Sequence, residues 1–339
     1  MKRDLAAAAT GRSLGFSQTR EQSVSIATTT AAIHAPRRKR ALSFDDRRQL
    51  FLVALALPAF VYILAVAVWP LIQGISYSFF EYNLLRHGGA KTFVGLANYV
   101  ELLTNDTGRR AILNTFVFTV GAVVFEFLLG LGLALLLWRD GRFNRICLAF
   151  LLIPVTITPL VVGLIFRALL AVDYGYIGYY LAEWGITTPR GLLAGTGTAL
   201  PTLMFIDIWE WTPLVALILL AGLKALPGDI LEAAFADGAT SAQRFRLVIL
   251  PLLLPTVFLA LVLRMMDAFR VFDSIFVTTG GGPADATNTL MVYGVKQGLQ
   301  FFNIGYASAI ANVSILCIAM MAAAFTLLIR RADVKANEQ

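Results

Sequence analysis

The sequence predicts an all-α polytopic membrane protein with six transmembrane helices and both termini on the cytoplasmic side. Three observations carry that prediction. Hydrophobic side chains make up 58% of the 339 residues and charged ones 14%, with a mean hydropathy of +0.73, far too apolar for an ordinary water-soluble domain. Apolar stretches near the roughly 20 residues that cross hydrocarbon recur at about 50–72, 114–138, 146–170, 200–222, 252–276 and 306–329. The loops are also unequal in charge. Nineteen Lys and Arg fall on the side of the N-terminus and six on the other, which gives N-in, C-in topology by the positive-inside rule.

Residues 1–48 carry ten of the 28 Lys and Arg and no hydrophobic period, so they are expected to be a disordered basic cytoplasmic tail. The run Arg37-Arg38-Lys39-Arg40 fits a membrane-flanking anchor better than a nucleic-acid site. The first apolar run starts near Leu50, too late and too long for a signal-peptide core, so helix one is expected to stay attached. A transmembrane domain follows at 49–330, then a short cytoplasmic tail at 331–339.

Helix one carries Pro58 and ends near Trp69-Pro70, where an interfacial aromatic is expected. The outer segment from Ser76 to Arg110 holds the loop Arg86-His87-Gly88-Gly89 and an amphipathic piece from Leu96 to Leu103. Helix two contains Glu126, which has no partner in its own turn, and ends at the basic turn Arg139-Asp140-Gly141-Arg142. Pro154 and Pro159 should kink helix three, because each removes a backbone donor that protein or water must compensate. The outer loop from Ala171 to Ala199 is rich in tyrosine, suited to an interface or to sugar stacking. Helix four holds Asp207, Trp209, Glu210 and Trp211; helix five holds Arg264, Asp267, Arg270 and Asp273; helix six holds Asn312. Cys147 and Cys317 lack any CxxC or Cys/His spacing and are expected to be small buried hydrophobes rather than metal ligands.

The most informative segment is the long inner loop, 223–251. It reads Glu232-Ala233-Ala234-Phe235-Ala236-Asp237-Gly238, nine residues, then Val248-Ile249-Leu250-Pro251. The pattern predicts a short helix, a bend that glycine permits, and a second helix running into the membrane. Asp229 and Glu232, three apart, have capping-box spacing. Small residues with one aromatic knob, Phe235, suit a helix that sits in a groove of another protein.

This segment resembles the cytoplasmic loop of the integral membrane subunits of binding-protein-dependent ABC importers: EAA, three residues, G, nine residues, I-x-L-P. The single departure is Val248 for isoleucine. Flanking segments are similar to the carbohydrate-uptake branch, which serves maltose, glycerol phosphate and polyols. They are Asp207-x-Trp209-x-Trp211-Thr212-Pro213, Asp267-Ala268-Phe269-Arg270-Val271-Phe272-Asp273, Thr279-Gly280-Gly281-Gly282-Pro283 and Gly305-Tyr306-Ala307-Ser308-Ala309. The resemblance spans about residues 50–330. It implies a bacterial inner-membrane, multi-pass permease subunit that pairs with a second permease, two cytoplasmic ATPases and an extracytoplasmic solute-binding protein. The expected substrate is a carbohydrate or polyol. It also implies that Glu232, Ala233, Ala234, Phe235, Asp237, Gly238, Leu250 and Pro251 form the coupling surface for the ATPase. No cofactor is expected on this chain: no Gly-x-x-x-x-Gly-Lys-Ser/Thr occurs, so ATP and Mg belong to partners.

Ionisable groups in hydrocarbon are costly and mark cavities or protein interiors. Asp207 and Glu210 lie about 12 and about 16 Å from the outer end of helix four at 1.5 Å per residue. Carboxylates accept hydroxyl hydrogen bonds while indoles pack on the C–H face of a sugar, so Asp207, Trp209, Glu210 and Trp211 are candidates for the substrate pathway. Asp267, Arg270 and Asn312 complete the set. The competing reading is structural. Arg264, Asp267, Arg270 and Asp273 recur every three residues and could neutralise one another along one helix face, while Asn312 and Ser308 could join helices by hydrogen bonds. The rival function is a proton-coupled secondary carrier with Glu126, Glu210 or Asp267 as relay; a membrane-embedded enzyme lacks a visible nucleophile or histidine constellation.

Overall fold

The computed structural model describes residues 44–86 and 89–337; the basic tail up to residue 43 and the pair His87-Gly88 lie outside the described residues. The chain divides into two units, Met1–Ile63 and Leu64–Gln339. Of the first unit, helix α1 (Phe44–Ile63) is described. It is apolar all round and exposed along Phe51–Ile63, as expected of a helix whose solvent is lipid. Its described part begins at Phe44, inside the stretch read as tail.

The second unit opens with a π-helical turn (Leu64–Val68) and α2 (Trp69–Tyr77), with Pro70 in the first turn, where a missing N–H costs nothing. A two-stranded antiparallel hairpin, β1 (Phe80–Tyr82) and β2 (Lys91–Phe93), follows and adds to the all-α expectation. Then come α3 (Ala97–Thr104) over the expected amphipathic piece, α4 (Asp106–Leu137), α5 (Arg142–Leu151), α6 (Ile153–Thr156) and α7 (Pro159–Leu169). α4 begins earlier than its apolar stretch because Asn105 caps it, accepting a hydrogen bond from Thr107 N.

Helix three of the sequence reading is more than kinked: Arg142–Thr156 and Pro159–Leu169 meet at 93°. Ile157 is extended and Pro159 has no N–H with which to rejoin the ladder. Among the described residues, five helices are long and apolar enough to cross a membrane, and six if this bent pair is one span.

The outer loop read at 171–199 contains α8 (Tyr176–Glu183) and a 3-10 turn at Leu192–Ala194. After α9 (Ala199–Lys224) come α10 (Gly228–Ala236), α11 (Ser241–Arg244), a π-helical turn (Phe245–Ile249) and α12 (Leu250–Phe269). Helix five thus ends at Phe269, seven residues short of the expected end. Arg270 caps it, and Asp273 opens a separate helix, α13 (Asp273–Thr278). α14 (Leu290–Val295), another π-helical turn and α15 (Ile304–Asn337) complete the unit.

Packing explains the residue choice. Hydrocarbon gives no hydrophobic incentive for helices to associate, so close backbone approach and polar contacts must do it. α4 shows the resulting inversion: Ala111, Thr115, Thr119, Ala122, Glu126, Gly130 and Ala134 are buried, whereas Leu113, Phe125, Leu129 and Leu136 are exposed. α4 and α9 run parallel, since a Cβ on Gly121 would meet Met204 and one on Gly130 would lie 2.8 Å from Val215 Cγ1. α12 runs antiparallel to α9: Gly222 faces Thr256, while Asp207 faces Arg264. At one end of this trio Lys224 bridges Asp140 at 2.7 Å and holds its exposed carboxyl below the usual carboxylate range.

Three apolar clusters surround the trio. One joins Leu137, Leu219, Leu223, Leu253 and Val257; a second joins Phe118, Val162, Leu203, Ile206 and Ile275; a third joins Leu102, Phe269, Leu290, Tyr306 and Ile310. Cys147 and Cys317 are half-buried free thiols packed against the first and third clusters.

Candidate functional site: a buried charge centre and an exposed loop

Arg264, 2% exposed, is the hub of the membrane domain. Its position on α12 aims the guanidinium between α4 and α9. Nε and Nη2 donate to both oxygens of Glu126 at 2.6 and 2.8 Å, Nη2 donates to Asp207 Oδ2 at 2.8 Å, and Nη1 donates to Asp267 Oδ2 at 2.7 Å. Trp211 lies beneath it, 4.7 Å from ring centroid to guanidinium carbon. The planar fork of arginine suits this job because it can hold one carboxylate bidentately and still reach two more. Glu126 thereby finds the partner that its own turn lacked, 138 residues away.

The expected ladder on helix five is half right. Arg264, Asp267 and Arg270 do form i,i+3 pairs, the second weaker at 3.3 Å and more exposed. Asp273 drops out because the helix ends before it. Glu210, 1% exposed, sits near Arg264, Asp267 and Glu126, yet neither of its carboxylate oxygens has a hydrogen-bond partner among the described residues.

Beside the hub a cavity of about 220 Å³ is lined by Pro159, Asp207, Trp211, Asp267, Arg270 and Asp273, among others. The helix break puts Pro159 there, and the end of α12 puts Arg270 and Asp273 there. Of the predicted pathway residues, Asp207, Trp211, Asp267 and Arg270 are brought together at this cavity. Trp209 is not. It stacks edge-on against Phe166 at 5.3 Å and lines a separate, apolar cavity with Leu129, Phe205 and Pro213. Asn312 is also engaged elsewhere, donating to Tyr99 Oη at 3.2 Å and so tying α15 to α3.

About 24 Å along α9 from Asp207, at 1.5 Å per residue, the chain emerges into the loop of α10 and α11. Glu232, Ala233, Phe235, Asp237 and Gly238 are exposed, Ala234 and Leu231 are half-buried, and Leu231 packs under the first apolar cluster. The helix ends in a Schellman motif: Gly238 N donates to Phe235 O and Ala239 N to Ala234 O. Gly238 has φ +74°, the left-handed conformation that this end requires. The capping box expected at Asp229 and Glu232 is absent, because Pro227 is the N-cap and makes no side-chain bond. The box sits instead on α11, where Thr240 and Gln243 cap reciprocally. Arg244 lies over the Phe235 ring at 5.2 Å, fixing the two short helices against each other. Leu250 and Pro251 open α12, with Pro251 in its first turn.

A bundle of membrane-crossing helices with a charged centre in mid-span, joined by continuous helix to a structured loop at one end, is the architecture of a polytopic membrane subunit. Residues 126–334 match the family described as "Binding-protein-dependent transport system inner membrane component", and the chain belongs to that family. It is an ABC transporter permease of the inner membrane and not an enzyme.

The "Probable ABC transporter permease protein y4oQ" of Sinorhizobium fredii is 35% identical over 289 residues, covering 85% of this chain and 91% of the relative. The "Trehalose/maltose transport system permease protein MalF" of Thermococcus litoralis is 36% identical over 229 residues, covering 67% and 75%. Among solved structures, a bacterial alginate ABC transporter in complex with an alginate pentasaccharide-bound periplasmic protein superposes with TM-score 0.72 over 85% of this chain and 96% of that one. At 22% identity that likeness is one of fold. The proton-coupled carrier finds no support in this family.

Proposed function

We propose that this chain is one permease half of an importer for a carbohydrate or polyol, oriented N-in and C-in, with α10 as its contact to a separate ATPase. The observation that carries the reading is the exposed, Schellman-terminated helix bearing Glu232, Ala233, Ala234 and Phe235, joined through α9 and α12 to the buried charge centre. Asp237 and Gly238 set the exit of that helix, and Leu250 and Pro251 pass its displacement into α12. A second permease subunit, two cytoplasmic ATPases that hold ATP and Mg, and an extracytoplasmic solute-binding protein complete the assembly.

Within it, closure of the ATPases moves α10 and its groove together, and the membrane helices alternate in access. The solute path runs past Asp207, Trp211, Asp267 and Arg270, which line the cavity beside the hub, while Glu210 lies buried behind it. Their carboxylates, guanidinium and indole offer hydroxyl acceptors, hydroxyl donors and an apolar face to a polyol. The sugar class also suits the relatives, whose names include trehalose, maltose and multiple-sugar permeases.

The test is uptake into vesicles holding the permease pair and ATPases. Sugar uptake should require internal ATP and the external binding protein and should ignore protonophores. Uptake abolished by a protonophore at constant ATP would reject the proposal.

A further inference from the structure

We propose that Glu210 is a second docking carboxylate for Arg264: in the alternate conformation of the transport cycle the guanidinium leaves Asp207 and pairs with Glu210. The idea rests on the alternating-access reading above and adds a positioning role for one residue. In the present conformation every arm of Arg264 is taken, by Glu126, Asp207 and Asp267. Glu210 is 1% exposed and neither of its oxygens has a donor among the described residues. Buried polar groups without partners are rare, because each forfeits hydration with no return. A carboxylate kept in such a place is expected to find its donor in another state of the protein.

The geometry supplies one. Asp207 and Glu210 are three residues apart on α9, a rise of about 4.5 Å toward the α10 end. α12 runs antiparallel beside them and presents a single buried cation. Sliding α12 past α9 with only one acceptor would strand Arg264 and Asp207, and breaking a buried ion pair is strongly destabilising. A second acceptor within one helical turn lets the pair exchange instead, giving two discrete registers rather than a continuous slide. Trp211, already under the guanidinium, offers its π-face beside the route.

The experiment uses the complete transporter in proteoliposomes, with spin labels at Phe205→Cys on α9 and Leu259→Cys on α12. Glu210→Gln should leave the nucleotide-free distance unchanged, abolish the shift seen on ATP binding and lower transport at least tenfold, while Glu210→Asp restores both. Asp207→Asn should move the nucleotide-free distance toward the ATP-bound value. If Glu210→Gln shows the normal ATP-dependent shift, or if the two neutralising variants displace the distance in the same direction, the register exchange is wrong. ATP-driven uptake by the unaltered transporter would stand in either case, so the transport reading is judged separately.

Discussion

Replacing Arg264 by methionine tests whether the buried hub holds the membrane domain together. Methionine keeps much of the volume and removes the charge, leaving Glu126 (0% exposed) and Asp207 (6%) facing each other without a cation. Three charge-assisted contacts of 2.6–2.8 Å to these two residues disappear, together with the one to Asp267. Asp267 is half-exposed and loses little, since water can replace its partner. The two buried carboxylates dominate, and removing one partner of a buried pair typically costs about 3–5 kcal/mol. At roughly 2 °C per kcal/mol for a chain of this size, Tm of the assembled transporter should fall by about 6–10 °C.

The same reasoning makes a sharper demand. Adding Glu126→Met and Asp207→Leu removes the stranded charges, and Tm should recover to within about 2 °C of the parent because apolar packing of similar volume can equal a buried ion pair. Thermal unfolding followed by intrinsic fluorescence in nanodiscs reads both. A single Arg264→Met variant as stable as the parent, or a triple variant no better than the single one, would refute the reasoning.

Gly238→Val forces a β-branched residue to φ +74° where no neighbour lies within 4 Å, so its cost is local, about 1–2 kcal/mol in α10 and its exit. Membrane insertion should persist while co-purification with the ATPase is lost. Glu232→Lys, at an exposed position, should change Tm by less than about 1 °C yet abolish ATPase association and transport in the same pull-down and uptake assays. Gly130→Val would drive its Cβ against Val215 Cγ1 at 2.8 Å and the Ala216 backbone nitrogen at 3.1 Å; about 1–3 kcal/mol of destabilisation should appear as a lower Tm. Trp211→Leu should raise the KM of uptake several-fold through loss of the indole face, whereas Trp209→Leu should leave KM unchanged, since Trp209 stacks on Phe166 away from the polar cavity.

Much of this architecture is legible in the residues. The hydrocarbon-length stretches locate the helices because bilayer thickness leaves the chain few alternatives. Glu232 to Pro251 announce the loop because a Schellman exit demands glycine at one position and a helix start favours proline at another. Hydropathy is blind to what happens inside a span. The 93° turn at Ile157-Thr158 falls within a stretch as apolar as its neighbours, where Pro154 and Pro159 are the only hint, and the charges Asp267, Arg270 and Asp273 around the stop at Arg270 do not say where the helix ends.

The hub is half visible in the residues. Glu126, Asp207, Glu210, Arg264 and Asp267 stand out as charges in hydrocarbon, and i,i+3 spacing pairs Arg264 with Asp267 correctly. Local spacing cannot supply the partnership of Arg264 with Glu126 across 138 residues. Charge neutrality of the whole bundle is the signal that points to it, since an orphan Glu126 and a basic residue on another span each need the other. Trp209 and Trp211 line different cavities because two indoles two residues apart point to opposite faces of a helix, and sequence alone does not say what each face meets.

The contact of α4 with α9 has a mechanical consequence. Two parallel rods touching backbone to backbone at Gly130, with a side chain wedged at Gly121, resist shear and behave as one beam. With the ion hub as fulcrum, that beam has an arm of about 24 Å down to Leu223, so each 10° of tilt carries its far tip through about 4 Å. A stroke of that size at the loop end, pivoting on the hub beside the cavity, requires no melting of helix along the way.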